Sequence, residues 1–151
     1  MKSLKAKKVN MTQIFDESGE VFPVTLVVLA KPKGETEAIP QELSLKSGDI
    51  VTVSGISKGK GFQGAVKRHK FSGGRRSHGQ KHSEREVGSV GGGGRAGGRI
   101  VKGMRMAGRM GGERITTKNL KIIKVLPETH EIFIGGSVPG RRGSMIEIKT
   151  K

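Results

Sequence analysis

The chain has 151 residues, enough for one ordinary domain or a small domain with an extension. Lys and Arg total 29 against 13 Asp and Glu, a formal charge of +16 that a compact fold carries only if a polyanion neutralises it. Cysteine is absent, which excludes disulfides, thiolate zinc sites and a Cys nucleophile.

In chain order, Met1 to Lys5 is charged and no apolar stretch follows it, so no secretory signal is expected and the expected compartment is the cytoplasm. The turn Asp16-Glu-Ser-Gly-Glu20 precedes Val21-Phe-Pro-Val-Thr-Leu-Val-Val-Leu29, whose β-branched residues predict a strand. The longest apolar run, Val21 to Ala30, is ten residues and contains Pro23, whereas a membrane-spanning helix needs about 20. No basic amphipathic helix with bulky apolar anchors is visible, so a membrane partner is not expected. After Lys46-Ser-Gly48, Asp49-Ile-Val-Thr-Val-Ser54 alternates as a second strand.

From here the composition changes. Residues 1–53 carry no net charge, residues 54–115 carry +12 and residues 116–151 carry +4; 18 of the 25 glycines lie in 54–115. That middle part is poor in Leu, Ile and Val, so burial would not offset the entropy of ordering it. It predicts a long, irregular, basic, Gly-rich extension, with a short helix or turn only between Gly59 and Lys70.

Three motifs in the extension suggest other chemistry, and each fails on context. Gly59-Lys-Gly-Phe-Gln-Gly64 matches a dinucleotide-binding G-x-G-x-x-G, but no second apolar strand follows at βαβ distance, so no nucleotide cofactor is expected. His78 and His82, with His69 nearby, lack a third ligand and a His-Glu-x-x-His pattern, so no metal is expected either. Ser89 in Gly88-Ser-Val-Gly91 is not a nucleophile elbow. No acid–base pair stands in an apolar setting, which leaves no catalytic residues and no small-molecule substrate. The cluster Met104, Met106 and Met110 is expected to pack against its own surroundings.

The cations have a stronger pattern. Between Lys58 and Arg114 acids are almost absent, and glycines allow the backbone to approach phosphates. The candidate RNA-binding residues are Lys58, Lys60, Lys67, Arg68, His69, Lys70, Arg75, Arg76, His78, Lys81, His82, Arg85, Arg95, Arg99, Lys102, Arg105, Arg109 and Arg114. Arg offers a planar fork for phosphate and a face for stacking. Only Phe62 and Phe71 are aromatic here, which favours structured RNA gripped by its backbone over a single-strand platform.

Beyond the extension, Leu120–Leu126 and Glu131–Ile134 flank Pro127-Glu-Thr-His130 as a predicted hairpin, and Gly143–Lys149 alternates as a last strand. Short strands with almost no helical periodicity predict a mainly β fold, a small barrel built from residues 1–53 and 116–151.

Asn10-Met-Thr-Gln-Ile-Phe-Asp16 and Phe22-Pro-Val-Thr25 resemble the opening of the bacterial large-subunit ribosomal protein L3 family. Val51-Thr-Val-Ser-Gly-Ile-Ser-Lys-Gly-Lys-Gly-Phe-Gln-Gly64, Lys67-Arg-His69 and Ser77-His-Gly79 continue the resemblance. So do Gly88-Ser-Val-Gly91, Lys102-Gly103, Met106-Ala-Gly-Arg-Met-Gly111, Glu113-Arg114 and Val138-Pro-Gly140. The resemblance implies a translation-protein-type barrel and an extension, Lys58 to Arg114, running through large-subunit ribosomal RNA toward the peptidyl transferase centre. It also implies early binding during assembly, with proteins of the L14 and L19 families as neighbours. Two departures stand out. About a third of the usual length is missing between Ala30 and Glu35, and Gly92 and Gly97 stand where many relatives have Gln and Pro. A methylated Gln is therefore impossible at position 92.

Overall fold

The computed structural model describes residues 3–30, 45–92 and 98–150. Its elements are β1 (Ser3–Phe15), β2 (Val21–Leu29), β3 (Ile50–Ile56), β4 (Phe62–Gln63), α1 (Ala65–His69), β5 (Gly108–Arg109), β6 (Arg114–Leu126), β7 (Glu131–Gly135) and β8 (Met145–Thr150). They fall into two compact units, Met1–Lys58 with Gly112–Lys151, and Gly59–Gly111.

The first unit is the mainly β barrel that the strand pattern predicts. Its strands run β1-β2-β7-β6-β3-β8 and close with β8 against β1, every pair antiparallel. Closure leaves no open sheet edge. One face of each strand supplies the core: Ala6, Val27, Val51, Val53, Ile122, Ile132, Ile134, Ile146 and Ile148 are buried in one cluster. No aromatic residue is among them, so the barrel is filled by β-branched side chains, which suit a pleated wall.

Local sequence explains the irregular points. The β1–β2 turn closes with Gly19 N–H donating to Asp16 O at 2.9 Å, Gly19 taking a φ of 82° that a side chain would resist. Pro23 pairs with Gln13 beyond the β2–β7 ladder, which begins at Val24 opposite Gly135, so its missing N–H removes no bond to β7. Two register shifts place an extra residue in β6, one between the partners of Val51 and Val53 and one at Ile123. At the first, Asn119 adopts a φ of 58°, a left-handed conformation that Asn tolerates.

Two stretches of strand exceed the sequence expectation. β1 is a full strand although Lys5, Lys7 and Lys8 crowd it. Lys5 and Lys7 are exposed while Lys8 faces inward between Ala6 and the loop after β7; the Lys8 ammonium donates to Val138 O at 2.8 Å and Gly140 O at 3.1 Å. β6 begins at Arg114 rather than Leu120, because Arg114-Ile-Thr-Thr-Lys-Asn119 pairs with β3 from Ile56 back to Val53.

Candidate nucleic-acid interface

The candidate RNA-binding residues concentrate in the unit Gly59–Gly111, and its local structure follows from a few ties. Lys60 N–H donates to Met110 O at 2.9 Å, Met110 N–H to Gly61 O at 3.0 Å, and β4 then pairs with β5. α1 follows at once, burying Ala65. Its last turn carries Lys67, Arg68 and His69, where cations favour the carbonyl end of the helix dipole, and Lys70 ends it at a φ of 61°.

α1 is held to the returning chain by two of those cations. Arg68 Nη1 donates to Met106 O at 2.9 Å, and His69 Nε2 donates to the same carbonyl at 3.0 Å. The Arg68 guanidinium lies over Gly108, where a Cβ would sit 2.6 Å from Nη1. A side chain at 108 would therefore have to push the Arg68 tip aside. Arg68 and His69 are half-buried, and part of their donor capacity serves the fold of this unit.

The other candidates are presented outward. Lys60, Lys67, Lys70, Arg75, Arg76, His78, Lys81, His82, Arg85, Arg99, Lys102, Arg105 and Arg109 are exposed. Arg76 also pairs with Glu84 at 2.5 Å, in the open, where such a pair contributes little to stability. The structure does not bring Lys58 and Arg114 into this unit: both lie in the barrel unit, where Arg114 pairs with Glu147. Arg95, Gly97 and the segment between Ala30 and Glu35 lie outside the described residues. Among the described residues no cluster of three His, Cys, Asp or Glu could hold a metal. No helix among them is long and apolar enough to cross a membrane.

Large apolar side chains accompany the cations. Phe62 is 72% exposed and Val101 73%, with Ile100 and Met104 also exposed. Met106 and Met110 are half-buried, so the methionine cluster packs only in part. Exposed apolar groups among cations suit a partner that offers both phosphates and flat base faces.

Sequence reasoning passed over the exposed cations of the barrel, Lys5, Lys7, Lys118, Lys121, Lys124, Arg141 and Arg142. Lys5 and Lys7 alternate along β1, and period-two spacing of lysines was the available signal for an outward face. Glu147, beside them on β8, is held below the ordinary carboxylate range by its hydrogen bonds from Arg114 and then Ser3.

The family model for ribosomal protein L3 matches residues 1–132. The large ribosomal subunit protein uL3 of Streptococcus pyogenes serotype M1 is 37% identical over 205 aligned positions, covering 99% of this chain and 96% of that protein. Since the chain has 151 residues, at least 54 of those positions face a gap in it. The uL3 proteins of Chlorobium limicola and Chlorobaculum parvum are 53% identical over 105 residues and 54% over 101, or 70% and 67% of this chain. Those two matches span about half the length of the relatives, 50% and 48%.

Proposed function

The chain belongs to the ribosomal protein L3 family, and from that membership we propose that it is a structural constituent of the large ribosomal subunit that binds large-subunit rRNA and is not an enzyme. The match over residues 1–132 is the observation that carries this reading. Its place of action is then the cytoplasm, within the subunit. Gly59–Gly111 is the RNA-binding extension, directed toward the peptidyl transferase centre, and Met1–Lys58 with Gly112–Lys151 is the barrel that anchors it, so the boundaries expected at 53 and 115 move inward by a few residues. The protein acts early in subunit assembly, beside proteins of the L14 and L19 families.

The physical support is the distribution of charge. Thirteen exposed cationic or histidine side chains project from Gly59–Gly111, which contains only two carboxylates, Glu84 and Glu86. Lys and Arg heads bind phosphate and displace condensed counterions, which positions the protein without reading sequence. Glycine keeps the backbone slender enough to approach the polyanion closely.

The test is sedimentation of tagged protein from its native cells through a high-salt sucrose gradient. Stoichiometric recovery in the large subunit is expected. Recovery at the top of the gradient, with association only at low salt, would point instead to a factor that exchanges on and off ribosomes.

A further inference from the structure

The segment Lys70–Gly88 lines an open cavity of about 520 Å³, inside the range of about 300–1,000 Å³ typical of small-ligand sites. Its lining includes Lys70, Phe71, Gly73, Gly74, Glu86 and Val87. We propose that this cavity receives one unpaired guanine of the RNA, set against Phe71 and read on its Watson–Crick edge by the Glu86 carboxylate. The inference rests on the rRNA-binding reading and adds to it a site of base recognition.

The walls are formed without a ligand. Gly74 N–H donates to Glu84 O at 2.9 Å. The two limbs meet so closely that a Cβ at Gly73 would lie 2.1 Å from Glu84 O, and one at Gly74 would lie 2.6 Å from Ser83 O. Bare peptide on one side and the apolar Phe71 and Val87 leave a slot that suits a flat ring. The Phe71 ring is itself supported by His69, with centroids 5.9 Å apart.

The carboxylate selects the base. Among the described residues Glu86 makes no ion pair, whereas Glu84 is bound to Arg76. A free carboxylate within a surface that meets phosphates is repelled unless it faces donors. Ionised carboxylates only accept, and guanine alone offers two adjacent donors, N1–H and the N2 amino group, that match the two oxygens. Adenine and cytosine offer one amino group there, and uracil one imino N–H. Lys70, on the same cavity, supplies a cation for the phosphate that enters with the base. An exposed base stacked on an aromatic ring and read on its edge is a common mode of sequence-specific RNA recognition.

The test places a photoreactive p-benzoylphenylalanine at Ser72, an exposed residue of the lining, in the full chain within its native cells. A second version carries it at Val101, outside the cavity. After irradiation the crosslinked nucleotides are mapped on the RNA of isolated large subunits. From position 72, crosslinks at one unpaired guanosine or its immediate neighbour are expected. Glu86→Gln should weaken that crosslink by about tenfold, the discrimination typical of a bidentate contact, and leave the position 101 crosslink unchanged. RNA crosslinks from 101 with none from 72, a scatter of nucleotides from 72, a protein crosslink from 72, or indifference to Glu86→Gln would each overturn the base pocket while leaving rRNA binding intact. No RNA crosslink from either position would overturn the rRNA-binding reading itself.

Discussion

Glycine serves opposite ends at Gly55 of the barrel and at several open positions of Gly59–Gly111. In the barrel, Gly55 is buried on β3, and a Cβ there would lie 3.1 Å from Ile146 Cγ2 and 3.3 Å from Pro139 Cβ. It is small so that strand and loop can touch. In Gly59–Gly111, a Cβ at Gly59, Gly64, Gly79 or Gly103 would meet nothing within 4 Å. Those positions are small with open space around them, which fits a surface that an RNA backbone approaches. The cations divide in a parallel way. Lys8 is 7% exposed and bound to two carbonyls, while Lys60, Arg75, Lys81 and Arg105 stand in solvent. The Lys8 ammonium is satisfied within the fold; most cations of the extension are left for a partner.

The comparison breaks if core and extension variants have the same phenotype. Ile134→Ala removes a fully buried side chain that sits opposite Ile122 and Thr25 in the barrel wall. It should cost about 2–5 kcal/mol, read as a fall in the urea midpoint of the purified protein. Binding of the still-folded fraction to large-subunit rRNA should change little. The reverse is expected of Lys102, Arg105 and Arg109 replaced together by Ala, all exposed. The urea midpoint should stay put, while the slope of log K against log salt flattens by up to about one unit per lost phosphate contact. An unaltered slope would remove those three residues from the interface. Arg114 does not belong in this set, because it is already paired with Glu147 in the barrel.

How much of this was readable in advance depended on whether neighbours or distant residues decide the conformation. The strand Val21–Leu29 and the hairpin around Pro127–His130 were legible because β-branched runs and turn residues carry local signals. β1 was not, since three lysines hide its alternation, and the partners of the inward Lys8 ammonium, Val138 O and Gly140 O, lie 130 and 132 residues away. The same holds for Arg114–Thr117, mostly polar residues made into strand by pairing with β3. In the extension, the sequence named the cations but could not sort them. Arg68 and His69 look like their neighbours Lys67 and Lys70, yet they clasp Met106 O, 38 and 37 residues away. The cavity beside Phe71 was equally hidden, since it depends on Gly73 and Gly74 meeting Ser83 and Glu84 across a loop.

A smaller effect sharpens the contrast between tight and open glycines. Gly55→Ala forces Ile146 or Pro139 to shift, and overpacking of this kind costs about 1–3 kcal/mol. Gly59→Ala, in open space, should change the urea midpoint by no more than about 0.5 kcal/mol. Equal losses from the two would mean that backbone freedom, not space, is what glycine supplies at Gly55.

The smallest expected effect is a pH dependence from Lys8, the one buried cation among the described residues. Burial, and then the charge of Lys58, hold the Lys8 pKa below its ordinary 10.5 in the folded protein. The folded chain therefore releases this proton at lower pH than the unfolded chain does. Between the lowered value and 10.5 the unfolded state binds more protons, so the contribution of Lys8 to stability rises with pH across that window. Below it, the ammonium is charged in both states and its desolvation opposes folding throughout. Lys8→Met removes the titration and leaves Val138 O and Gly140 O without their donor. Urea midpoints of both proteins, followed from neutral pH to 10.5, should show the wild type gaining on Lys8→Met as the upper end is approached. A gap that stays constant or narrows would mean that Lys8 is solvated well enough to titrate alike in both states, and that its two carbonyl contacts, rather than its burial, are what the barrel requires of it.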